Sequence, residues 1–182
     1  MVRLHDHDAV DYVNVLRDTA QTLSGVLDEP EIVQLLLEKV ESTLGARAAL
    51  LRLLSSDGAE LLPAGALGLS ERYLQKGPVQ PALSQIDQRV LSGQVVLCED
   101  VTHEPGFQYP EEAAAEGLRG MVAIPLTVRG RPIGVLRAYV DDVSELHQED
   151  LLLLGTIADL GALALEKARL HQSLFRIAEA VH

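Results

Sequence analysis

Gly120 to Val140 reads GMVAIPLTVRGRPIGVLRAYV, two apolar runs rich in β-branched residues on either side of the turn formers Arg129, Gly130, Arg131 and Pro132. The pattern predicts a central antiparallel hairpin. Apolar and polar residues do not alternate cleanly on either arm: Met121, Val122, Ala123, Ile124 and Leu126 crowd the first, and Ile133, Val135 and Leu136 answer them on the second. Both faces of such a hairpin should be covered. Pro125 has no N–H for the ladder, so an edge, a bulge or an irregular pairing is expected where it stands.

Beyond the hairpin, the chain predicts one long helix from near His147 toward Ala180, free of proline. Leu146 and Leu151 can staple its start, and Glu149 and Asp150 suit the positive end of its dipole. A helix of about 30 residues is ~45 Å long, more than one face of a small domain needs. Leu153, Ile157, Leu160, Ala164, Lys167, Leu174 and Ile177 keep an approximate heptad seam, interrupted by the lysine. The distal part is expected to meet another helix.

Before the hairpin, Val10, Val13, Leu16, Ala20 and Leu23 mark an apolar stripe on a helix over about 8–23. His5, Asp6, His7 and Asp8 ahead of it read as a solvated start, not a metal cluster. Asp28, Pro30 and Glu31 open a second helix that ends at Gly45 and buries Ile32, Leu36, Leu37, Val40 and Leu44. Arg47 to Leu54 and Glu60 to Gly65 read as strands joined through Ser55–Gly58. Short helices follow from Ser70 to Leu91, with Leu83, Ile86, Val90 and Leu91 at helical spacing. Val95 to Cys98 reads as a short buried strand. The connection from Glu99 to Arg119 should hold one helix, Pro110 to Glu116, stopped by Gly117. A connection of that length in a compact domain is usually functional.

The whole chain has 182 residues, 47% of them hydrophobic, enough for one domain with its own core and an extension. Its formal net charge of −12 disfavours nucleic acid and acidic membrane surfaces, which require clustered positive charge. A single cysteine, Cys98, excludes an internal disulfide and fits a reducing cytoplasm. The charged N-terminus has no apolar core of a signal peptide, and the apolar stretch from Leu151 is broken at Asp159, too soon for a membrane span.

Three stretches resemble the GAF family. VAIPLTVRGRPIGVL at Val122 to Leu136 is similar to that family's PL-bearing strand, short turn and GVL strand; EDLLLLGTIADLGALALEKARL at Glu149 to Leu170 is similar to its closing helix; LSGQVVLCEDV at Leu91 to Val101 resembles a third signature. His147 stands where the family usually has a Ser or Thr cap. The resemblance covers about 28–170 and implies a mixed α/β (α+β) domain. Its central antiparallel sheet of five or six strands would carry the N- and C-terminal helices on one face, with short helices and loops enclosing a small-molecule pocket on the other. Residues 1–27 would then be an N-terminal helix, and 171–182 an extension of the last helix leading to an output domain.

Sheet-roofing loops make a natural concave site. The expected lining or border is Tyr73, Cys98, Asp100, His103, Phe107, Tyr109, Leu118, Arg119 and Met121, with no residue assigned to catalysis or to a metal. Cys98 as a nucleophile would need His103 as its base, whereas a lone cysteine in an apolar strand is ordinarily core. Cys98, Asp100 and His103 are also iron-ligand types, but at no spacing specific to iron. Family members that reduce free methionine sulfoxide depend on several cysteines, and bilin-binding members have histidine after the attachment cysteine, where this chain has Glu99. The resulting expectation is a non-enzymatic sensory module that binds an unidentified small molecule and signals through dimerising terminal helices. The alternatives are a small enzyme using Cys98 or His103 and a ligand-free dimerisation spacer.

Overall fold

The computed structural model describes residues 9–181; the reading of His5, Asp6, His7 and Asp8 lies outside the described residues. The hairpin forms as β4 (Gly120–Val128) and β5 (Arg131–Val140). Its turn is shorter than expected. Arg129 and Gly130, at φ 50° and 75°, make a two-residue connection whose left-handed backbone matches strand twist, and Arg131 and Pro132 already belong to β5. Pro125 pairs with Val135, a register shift follows between Leu126 and Thr127, and the β3 ladder ends at Ala123. The irregularity expected around the proline is therefore present beside it.

Three further strands complete one antiparallel sheet in the order β2-β1-β5-β4-β3: β1 (Ala48–Leu54), β2 (Leu61–Leu67) and β3 (Val96–Cys98). β3 is not buried throughout. As an edge strand it alternates, with Val96 and Cys98 inside and Leu97 in solvent.

The helices α1 (Ala9–Ser24), α2 (Glu29–Leu44) and α6 (Gln148–Ala180) cover one face. Against them lie Ala49, Leu51 and Leu53 of β1, Val122, Ile124 and Leu126 of β4, and Leu136 and Ala138 of β5. The caps read from the sequence form as expected at α2: Asp28 accepts from the Glu31 N–H, and Gly45 closes the helix at φ 62°. At the start of α6, Asp150 is fully buried and accepts the His147 N–H at 2.8 Å; Tyr12 of α1 donates to its other oxygen at 3.4 Å. One carboxylate thus caps α6 and ties α1 to it.

The α1 stripe keeps Leu16 and Leu23 of the expected set but differs toward its start. Val13 is exposed, and Tyr12, Val15, Leu16 and Leu23 face the core. The stretch allows either phase, and packing against α6 selects the one that turns Tyr12 inward. At Gly161 the axes of α6 and α2 come so close that a Cβ would fall on Leu36.

The other face carries α3 (Glu71–Leu74), α4 (Gln85–Leu91), α5 (Pro110–Glu116) and their connections, here called the roof. Leu83 does not join the buried face of α4; it lies exposed in a 3-10 turn ahead of the Ser84 cap.

Candidate ligand site beneath the roof

Alternation along the strands decides what faces the roof: Ala48 and Arg52 from β1, Met121 and Ala123 from β4, and Val135, Arg137 and Tyr139 from β5. Of the residues expected at a site, Tyr73, Cys98, Phe107, Leu118 and Met121 meet in one buried cluster with Ile86, Val90 and Tyr139. Tyr73 is set by the Ser70 cap of α3, and its hydroxyl lies 3.1 Å from that of Tyr139, with the rings edge-on. Tyr109 is partly buried and donates to the Pro78 carbonyl at 2.7 Å. It lies over Gly77, whose φ of 139° and lack of Cβ leave room for the tyrosine hydroxyl.

Asp100, His103 and Arg119 lie apart from that cluster. Asp100 accepts from the Thr102 hydroxyl at 2.6 Å and the Thr102 N–H at 2.9 Å, and sits 3.1 Å from His103 Nδ1. The Thr102 bonds, before the histidine, hold its carboxyl below the usual range. His103 and Arg119 are exposed; Arg119 borders a separate cleft of about 340 Å³ with Glu99, Asp141, Asp142 and Ser144.

Cys98 is buried, with its thiol 3.7 Å from a Glu104 carboxylate oxygen. Burial first, and the Glu104 charge next, push its pKa up to about 11. The thiol is protonated at neutral pH, and the neighbouring Glu104 carboxylate disfavours the thiolate. Native protein at pH 7.5 should be alkylated by iodoacetamide far more slowly than denatured protein, as read by mass spectrometry. Equal rates would contradict this placement.

The residues that distinguish this face most are ones the sequence reading passed over. Arg137 donates through Nη2 to both carboxylate oxygens of Asp87, at 2.6 and 2.7 Å, and its guanidinium lies 5.4 Å from the Phe107 ring centre. Asp87, on α4, is fully buried. Burial opposes the charge on Arg137, but the carboxylate more than compensates, so its pKa is raised. Arg52 is only 3% exposed and its Nε has no hydrogen-bond partner. Burial, and then the Arg137 charge, lower its pKa. The available signal was one arginine at an inward phase of an apolar strand, AALLRLL in β1 and RPIGVLRAYV in β5.

Lys76 completes the group. Its ammonium lies 3.8 Å from the Tyr73 ring centre, 5.5 Å from that of Tyr109, and donates to the Tyr73 carbonyl. Burial foremost, then Arg52 and Arg137, bring its pKa down to about 7, against the opposite pull of Glu112 and Glu116. An unfolded lysine titrates near ~10.4, so between about pH 7 and 10 the unfolded chain holds a proton that the folded chain lacks. Stability from this group is therefore weakest below pH 7 and recovers as pH rises. Urea midpoints at pH 7 and 9.5 should rise more in the wild type than in Lys76→Met, the variant serving to subtract other titrations. Parallel curves would refute it.

An open cleft of about 550 Å³ lies outside the buried cluster, between α3 and α5, lined by Ser70, Arg72, Tyr73, Glu111, Glu112, Ala115 and Glu116. Glu116 accepts the Ser70 N–H and hydroxyl across it. Tyr73 is thus both a cleft wall and part of the core beneath. Among the described residues, no group of three His, Cys, Asp or Glu side chains is placed to hold a metal ion.

This arrangement, a five-stranded antiparallel sheet between terminal helices and a helical roof, agrees with the sequence comparisons. The family model described as "GAF domain" matches residues 26–166. The chain belongs to the GAF family. No curated protein matches it by sequence. Among solved structures, this GAF domain superposes on the GAF domain of a phosphoenolpyruvate-protein phosphotransferase from Coxiella burnetii at a TM-score of 0.79, with 18% identity, over 92% of this chain and 99% of that one. It is similar also to free methionine-R-sulfoxide reductase from Neisseria meningitidis, at TM-score 0.70 and 20% identity, over 94% and 98% of the two chains. A third match is a domain of a putative two-component sensor histidine kinase protein from Sinorhizobium meliloti, at TM-score 0.67 and 21% identity, over 79% and 94%. At these identities the likeness establishes the fold. No helix among the described residues of this GAF domain is long and apolar enough to cross a membrane.

Proposed function

We propose that this GAF domain is a cytoplasmic sensory or regulatory module that takes a small molecule beneath its roof and reports occupancy through α1 and α6, paired with a second copy of the chain. The carrying observation is the course of α6. Its buried positions end at Ala168, yet the helix continues to Ala180 with Leu170, Leu174, Phe175 and Ile177 exposed. An apolar face left in water on a helix this long is unfavourable alone and is relieved by a partner helix. The groove of about 460 Å³ between α1 and α6, lined by Ala20, Leu23, Leu160, Leu163, Ala164 and Lys167, continues that face onto the domain. Lys167 donates to the Ser24 carbonyl at its edge.

In this reading residues 28–170 form the sensing domain, 1–27 an N-terminal helix, and 171–182 a helical link to an output domain. Tyr73, Cys98, Phe107, Leu118 and Met121 would border the ligand from the core, with Tyr109 at the roof and Asp100, His103 and Arg119 at the rim. The similarity to a domain of a putative sensor histidine kinase and to a methyl-accepting chemotaxis protein supports a sensory role.

Light scattering of the full chain at high concentration is expected to give a dimer, and removal of the residues after Leu170 to shift it toward monomer. A strictly monomeric chain, or association unchanged by the trimming, would refute the helical part. The closed apolar cluster under the roof favours a second reading, a dimerisation spacer without ligand. Native mass spectrometry of the purified chain separates the two by reporting bound mass. Catalysis through Cys98 is disfavoured by its protonated, enclosed thiol; if some activity were found, Cys98→Ser should retain it.

A further inference from the structure

We infer that Arg52, with Arg137 beside it on the roof face of the sheet, receives an oxyanion group, a carboxylate or a phosphate, of the ligand that enters beneath the roof; this rests on the ligand-binding reading above. β1 and β5 are hydrogen-bonded neighbours in the sheet. Arg137 stands opposite Leu50, and Arg52 opposite Val135, so the two arginines occupy diagonal positions on the same face. Arg137 has a buried counterion in Asp87. Arg52 has none: among the described residues it makes no ion pair and no hydrogen bond, although it is 97% removed from water, being 3% exposed. The Nε of Arg137 is likewise enclosed without a partner.

Two guanidinium groups and one carboxylate leave a surplus positive charge in a part of the chain that little solvent reaches. An uncompensated buried charge is strongly unfavourable, and a group as costly as this is satisfied by a partner of opposite sign. Its planar fork of donors fits a planar or tetrahedral oxyanion better than any other small group. The charge also runs against the whole molecule, whose formal net charge is −12.

Lys76 lies above, between the rings of Tyr73 and Tyr109 at the end of α3, where Arg52 and Arg137 disfavour its charge and Glu112 and Glu116 of α5 favour it. The open cleft between α3 and α5 carries Glu111, Glu112 and Glu116, the wrong sign for an anion. The oxyanion therefore belongs below Tyr73, on the arginines, and not in the cleft.

The test is thermal unfolding of the full chain with inorganic phosphate, sulfate, acetate and succinate, against succinamide and sodium chloride at matched ionic strength. Phosphate and carboxylate arms separate the two sources of the oxyanion. The expected result is a concentration-dependent rise in Tm with at least one oxyanion class and none with succinamide or chloride. In Arg52→Met the rise should disappear, and in Arg52→Lys, which keeps the charge but not the fork, it should shrink. Arg52→Met without additive should melt higher than wild type, since the unpaired charge has gone.

A rise that persists in Arg52→Met overturns the assignment, as does a rise with chloride equal to that with the oxyanions. If succinamide raises Tm and no oxyanion does, the anion assignment fails and the ligand-binding reading stands. If nothing raises Tm and native mass spectrometry finds no small molecule on the purified chain, both fail.

Discussion

Replacing Asp87 by alanine is expected to remove roughly 3–5 kcal/mol of folding stability, the cost of stripping one partner from a buried ion pair. Both carboxylate oxygens of Asp87 accept from Arg137, and neither side chain has more than marginal contact with water. The loss is larger than a lost hydrogen bond because Arg137 would be left charged, in the company of an already unpaired Arg52. For a chain of this size each kcal/mol lowers Tm by about 2–4 °C, so a drop of roughly 6–20 °C should follow. Urea unfolding of Asp87→Ala beside a double variant, Asp87→Leu with Arg137→Met, makes the cause visible. The double variant should recover most of the loss, since an apolar pair of similar volume often matches a buried ion pair. A single variant within about 1 kcal/mol of wild type would show that the pair carries little weight in the fold.

The second large effect lies on the opposite face of the sheet. Ile157 on α6 is fully buried in the cluster that joins α2 and α6 to β1, β4 and β5. Ile157→Ala should cost about 2–5 kcal/mol through lost burial and the cavity left between rigid elements. Leu163, six residues along the same helix and 60% exposed, provides the contrast. Leu163→Ala should change stability by no more than about 0.5 kcal/mol in the monomer, any larger effect appearing in association instead. Matching losses at the two positions would mean that α6 is turned differently from the arrangement described. Chemical denaturation at two protein concentrations distinguishes folding from association.

Much of the sheet and of the helical face is legible in the sequence. The β4–β5 hairpin, the Asp28 and Gly45 ends of α2, the helix at Pro110–Glu116 and the uninterrupted run of α6 were each written in local signals: a turn between apolar arms, a cap, a proline at a first turn, a glycine past the last. Where the reading slipped, two phases were locally equivalent. Val13 could have been buried and Leu83 could have joined α4; only the neighbours they met decided otherwise. The turn at Arg129 and Gly130 is shorter than the four turn-forming residues Arg129 to Pro132 suggested, because strand twist selects a two-residue connection.

The candidate site divides in the same way. Tyr73, Cys98, Phe107, Leu118 and Met121, expected to border a pocket, meet in one buried cluster under the roof. Asp100, His103 and Arg119, named from proximity in sequence, are turned toward solvent or a different cleft.

What the order of residues determined by itself was the family, the elements and the two-sided covering of the sheet, since periodicity, caps and turns act within a few residues of one another. What only the tertiary structure decided was the meeting of Arg52, Lys76, Asp87 and Arg137 beneath the roof. They come from β1, the segment after α3, α4 and β5, and each looks unremarkable in its own stretch. Their charges interact strongly only because strand pairing and the roof bring them within reach and remove the water that would otherwise screen them.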